Sequence, residues 1–147
     1  MLTPMLISAA AVAIAACVRR IPEGQAYTLR RMDGHVRTLG AGMHFVLPLI
    51  ERVAHKIRLL GNVVEIEPIA VPGQKATLCG QVYYQVLDAK RADTIIDEVA
   101  QRVREQLPRL LAETEIAETS ARNLQLKSGL NRHLRDRGLL ITRVQLG

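Results

Sequence analysis

The chain has 147 residues, room for one domain of ordinary size, and its 20 lysines and arginines outnumber 14 aspartates and glutamates, giving a formal charge of +6. Its apolar share of 48 % with 23 % charged residues excludes a wholly disordered chain, a collagen-like one and a membrane protein of many spans. The charge is unevenly placed: Met1–Val18 holds no charged side chain, and only Thr3, Pro4 and Ser8 in it are not apolar.

The first element is therefore a hydrophobic leader. Leu2–Val18 as a helix reaches about 26 Å at about 1.5 Å per residue, against a hydrocarbon core of about 30 Å. Arg19 and Arg20 follow it and no basic side chain precedes it. The positive-inside rule then predicts an uncleaved single-pass transmembrane anchor over 1–18, an outside N-terminus and a cytoplasmic body over 19–147. Two other readings stay open. A cleaved signal peptide lacks its basic leading region here, and Ile14-Ala15-Ala16-Cys17 looks like a bacterial lipobox, which would make Cys17 a lipid attachment point and the body a binder of an envelope partner.

Beyond the leader, residues 27–32 and 36–39 read as two short strands around Asp33-Gly34, a favoured hairpin dipeptide. Gly40 and Gly42 punctuate the chain before the apolar run Met43–Ile50. Val53, His55, Ile57 and Leu59 share one face of the next strand; Val64 and Ile66 oppose Glu65 and Glu67 on the one after. Pro72-Gly73 marks a turn, and Lys75–Leu87 alternates over its whole length. From Asp88, a candidate N-cap, the period changes: Ile95, Val99, Val103, Leu107 and Leu111 recur every four residues, with Pro108 expected to kink or end that helix near Leu107. A second helix is predicted over 119–137 with Leu126, Leu130 and Leu134 on one stripe, Gly138 as its C-cap and Leu139–Leu146 as a last strand. The expected architecture is α+β, an antiparallel β-meander packed with two helices and a closing strand behind the transmembrane helix.

No active site assembles from this pattern. His35, His44, His55 and His133 lack metal-ligand spacing, no phosphate-loop glycines appear, and Ser8, Ser120 and Ser128 lack the setting of a nucleophile elbow. No catalytic residue, metal or cofactor is expected. With three tyrosines, one phenylalanine and no tryptophan, the chain offers few platforms for stacking bases, which argues against nucleic acid as a partner.

Gly34, Val36, Leu39, Gly42, His44, Phe45 and Pro48 form the pattern G-x-V-x-x-L-x-x-G-x-H-F-x-x-P. With Ile50-Glu51 and an alternating strand behind it, this stretch resembles the start of the SPFH or band 7 domain found in stomatins, prohibitins, flotillins and HflK/HflC-type proteins. Tyr83, Tyr84 and the run to Asp88, with Ala92, look like that family's strand-to-helix junction; Asn131, Leu134, Gly138 and Val144 match its return to the last strand. Pro72-Gly73-Gln74-Lys75 stands where the family often has Thr-x-Asp.

The resemblance implies a non-enzymatic, membrane-anchored scaffold that organises other membrane proteins and could modulate a membrane protease or a channel. The run Met43–Ile50 has two readings, a buried strand or, as the family suggests, a loop or edge dipping into the membrane interface, with Met43, Phe45, Val46 and Leu47 as its membrane contacts. Arg19 and Arg20, with Arg30 and Arg31, would pair with anionic membrane lipids. Family members usually continue into a coiled-coil arm that builds rings. This chain ends at Gly147, so the expectation is a weak homo-oligomer or assembly with a longer family member.

Overall fold

The computed structural model describes residues 2–71, 75–114 and 118–147, with side chains from residue 5 onward. The predicted turn at Pro72-Gly73 lies outside the described residues. The chain is α+β and forms two compact units, Met1–Ile57 and Arg58–Gly147.

In the first unit, helix α1 (Leu2–Cys17) passes directly into strand β1 (Val18–Ile21). Strand β1 pairs antiparallel with β4 (Gly42–Phe45), and β2 (Gln25–Arg31) lies between β3 (Val36–Leu39) and β5 (Glu51–Arg58). The β2–β3 hairpin turns at Asp33-Gly34 as its sequence predicts; Gly34 has φ +86°, a conformation L-residues avoid, and its amide donates to the carbonyl of Arg31 at 3.0 Å. Ile21, Leu29, Leu39 and Val46 form the buried cluster of this unit, with Tyr27 packed against it. The Lys56 ammonium sits 5.5 Å from the Tyr27 ring centroid, within cation–π range.

The structure does not bear out a transmembrane anchor over 1–18. Among the described residues no helix is long and apolar enough to cross a membrane. Helix α1 has 16 residues, about 24 Å of length, because Val18 leaves the helix to pair with Phe45 and carries Arg19, Arg20 and Ile21 into a strand. The leader is apolar over that length, but β pairing takes its C-terminal end. The expectation of a single-pass protein with a cytoplasmic body falls with it.

The second unit is a three-stranded antiparallel sheet, in the order β6 (Asn62–Ala70), β7 (Thr77–Val86), β8 (Leu139–Leu146). Between β7 and β8 run the short helix α2 (Ala89–Ala92), a 3-10 turn at Ile96–Glu98, α3 (Val99–Ala112) and α4 (Thr119–Leu134). The alternation of β7 buries Leu78, Val82 and Val86. Val99, Val103, Leu107 and Leu111 line the buried stripe of α3, and Leu126, Leu130 and Leu134 that of α4. Pro108 does not end α3, which continues to Ala112. Leu107 and Leu111 are buried on either side of it, and burial of that stripe outweighs the one backbone donor proline removes. The single meander of the sequence reading is thus three small sheets, distributed over two units.

Desolvation in its half-buried place on β7 pushes the Tyr84 phenol above its ordinary 10.0. The folded state therefore holds this proton longer than the unfolded chain. The associated stability is complete below about pH 10 and is lost as pH rises through the raised value. Tyr84→Phe is expected to leave the neutral-pH Tm nearly unchanged and to soften its fall above about pH 10. An alkaline limb equally steep in the variant would contradict this assignment.

Candidate functional site

The first unit presents an exposed apolar surface with arginines beside it. The β1–β4 register sets Val18 opposite Phe45, Arg19 opposite His44, Arg20 opposite Met43 and Ile21 opposite Gly42. Because strand side chains alternate, Val18, Arg20, Met43 and Phe45 share one face, while Ile21 turns the other way into the buried cluster. Met43 and Phe45 are 74 % and 53 % exposed, large apolar groups with no cover. Val46 points inward, 5 % exposed, and is held by its cluster neighbours away from any surface partner. Leu47 is half-exposed at the start of a turn, where its carbonyl accepts from the amides of Ile50 and Glu51 at 3.0 and 2.8 Å.

Helix α1 extends this surface. Met5, Leu6, Ile7, Val12 and Ile14 are all exposed, and no side of the helix is polar enough to prefer water. Its end is tied to β4 by the amide of Val46, which donates to the carbonyl of Cys17 at 2.8 Å. Arg19 and Arg20, both exposed, follow the helix directly, Arg20 on the face of Met43 and Phe45 and Arg19 on the opposite face.

The remaining residues of the G-x-V-x-x-L-x-x-G-x-H-F-x-x-P pattern serve the backbone of this surface. Gly42 has φ +128° where the chain enters β4, and the His44 ring nitrogen Nε2 lies 2.9 Å from the carbonyl of Gly40, bracing that bend. Leu39 is buried, Val36 is exposed, and Pro48 begins the turn into β5. In the second unit, the Asp88 carboxylate caps α2 by accepting from the amides of Lys90 and Arg91 at 3.0 and 3.2 Å. The Gly138 carbonyl accepts from the amides of Leu87 and Asp88, so the two junctions read from the sequence meet in space. Gly138 has φ +77°, and a Cβ there would fall 2.6 Å from the Asp88 carbonyl oxygen.

The sequence does not single out Met32 and Arg52, which are exposed at the end of β2 and on β5, whereas Leu49 and Ile50 belong to the run Met43–Ile50 and are exposed with it. For Met32 a signal is available, since it follows Arg30-Arg31 at a hairpin tip. In the second unit, Gln106, Arg109, Leu110, Glu113 and His133 line a cavity of about 240 Å³ between α3 and α4. It holds acid, base and guanidinium groups, and among the described residues of its lining there is no hydroxyl, thiol or amine nucleophile. Among the described residues, no three His, Cys, Asp or Glu side chains come together as a metal site.

No family model matches the chain. It is similar to an uncharacterised protein of Schizosaccharomyces pombe, 25 % identical over 140 residues that cover 88 % of this chain and 40 % of that protein. The chain thus spans less than half the length of the curated relative it matches.

Proposed function

We propose that this chain is a non-enzymatic organising domain of the SPFH or band 7 kind that lies in a lipid interface rather than crossing it. One observation carries the reading: α1 has no polar side and is exposed from Met5 to Ala16, and it runs directly into β1, where Val18, Met43 and Phe45 share a strand face with Arg20 while Arg19 lies on the opposite face. A helix apolar all round needs an apolar medium. Burying Met5, Leu6, Ile7, Val12 and Ile14 in one is worth on the order of 10 kcal/mol before the entropic costs of association. An arginine at the edge of such a helix lays its stem on apolar surface and keeps its guanidinium at the headgroups. From that position the body would gather neighbouring membrane proteins, a protease or a channel being the class its SPFH resemblance suggests.

Vesicle flotation of the full chain tests this. The protein is expected to float with phosphatidylcholine vesicles, and Ile7→Asp combined with Val12→Asp to lose most of that binding. A cysteine introduced as Thr3→Cys, with Cys17 and Cys79 replaced by serine, should react with an impermeant maleimide added on the side of the body. Flotation indifferent to the two aspartates, or a Thr3→Cys thiol reached only from the opposite side, would overturn the reading.

A further inference from the structure

We infer that the first unit carries a binding pocket for a phosphate group, built from Arg30, Arg31 and Arg52. These three residues, with Met32 and Ile50, line a cavity of about 340 Å³, inside the range of roughly 300–1,000 Å³ typical of ligand pockets. The frame is held by backbone bonds. The Met32 amide donates to the Ile50 carbonyl at 3.1 Å, joining the end of β2 to the turn before β5, and the Arg31 amide donates to the His35 carbonyl at 2.9 Å across the hairpin. Arg30 and Arg31 thus rise from one side of this bridge and Arg52 from the other.

The charge balance of the pocket is unresolved within the chain. Arg31 has a carboxylate, Asp33, at 3.9 Å; Arg30 and Arg52 have no ion pair among the described residues. The neighbouring carboxylate of Glu51 lies 3.9 Å from Arg37 instead. Three guanidinium groups against one carboxylate leave a surplus of two positive charges, and a phosphate monoester carries about −1.5 to −2 at neutral pH. Guanidinium forks match phosphate oxygens in pairs, which a sulfonium, an amine or a neutral sugar cannot satisfy. Met32, 83 % exposed, and Ile50 form an apolar wall beside the cations, so the group that bears the phosphate meets carbon rather than charge. The pocket lies outside α1 and the β1–β4 face, and its occupation does not depend on how α1 is held.

The phosphate can belong to a soluble ester or to a lipid headgroup, and two arms separate these. Inorganic phosphate and glycerol phosphate are titrated calorimetrically into the full chain. Flotation compares pure phosphatidylcholine vesicles with vesicles containing about one fifth phosphatidic acid, whose headgroup is a phosphate monoester. Saturable heat that Arg30→Gln and Arg52→Gln each reduce at least tenfold would support the pocket with a soluble source. A preference for the phosphatidic acid vesicles, lost in those variants and kept in Arg109→Gln on α3, would support it with a lipid source. Failure of flotation on neutral vesicles alone bears on the role of α1 and leaves the pocket standing. Absence of binding in both arms, or binding unchanged by Arg30→Gln and Arg52→Gln, overturns it.

Discussion

Gly80→Ala is expected to destabilise the protein by about 3 kcal/mol and to lower Tm by roughly 10 °C. Gly80 sits in the middle of β7, paired with Ile66 on one side and Leu146 on the other, at φ +156°. A Cβ built there would lie inside van der Waals contact of the Gln145 carbonyl oxygen, with that carbonyl carbon 2.9 Å away. The obstacle is backbone in a paired strand, so no rotamer change can relieve it; β7 and β8 must separate locally or shift register. Urea denaturation is the measurement, with an unchanged m-value showing that the native state, not the denatured one, carries the loss. A cost below about 1 kcal/mol would mean that the β7–β8 ladder yields easily at this point.

The second large effect is expected at Asn131. From α4 its side-chain amide donates to the Ile141 carbonyl at 3.0 Å, and its Oδ1 accepts from the Ile141 amide at 2.7 Å. One side chain thereby satisfies both outward groups of a residue in β8, the last strand of its sheet. Asn131→Ala leaves a partly buried donor and acceptor without partners and should cost about 2–4 kcal/mol. Asn131→Asp should be at least as damaging at neutral pH, because a carboxylate oxygen then faces the Ile141 carbonyl. That deficit should shrink as pH falls and the new carboxyl gains a proton to donate. Equal stability of the Ala and Asp variants at every pH would remove the clamp from the account of this helix–strand contact.

These two positions mark the boundary of what the amino-acid sequence discloses. Leu78, Val82 and Val86 alternate, and Val99, Val103 and Leu107 recur every four residues, because burial on one face imposes the period of the element itself. Asp88 and Gly138 are legible for a similar local reason, an amide-capping carboxylate and a left-handed residue at a helix end. A glycine inside a strand signals close backbone approach, but nothing local says which carbonyl approaches Gly80. The partner of Asn131 is equally hidden, since the amide of Ile141 comes near only when α4 has packed on β8. Val18 is the costliest case: eighteen residues of leader look continuous, and only its pairing with Phe45, a contact across the fold, shortens the helix. The run Met43–Ile50 misleads for the opposite reason, as its apolar composition suggests burial while Val46 is the residue of that run found in the cluster.

The junction of α1 with β1 has a mechanical consequence. The strand begins at the residue after the helix ends, and the Val46 amide pins the last helical carbonyl at 2.8 Å. A tether of several flexible residues would let the body swivel and would dilute any preferred approach to a neighbour over many orientations. Here there is no slack to average over. Whatever medium fixes the axis of α1 also fixes the tilt of the β1–β4 ribbon, so Arg20 and Phe45 arrive at a set height and facing a set direction. Copies held in the same medium would meet already aligned, with much of the rotational entropy of association removed before contact.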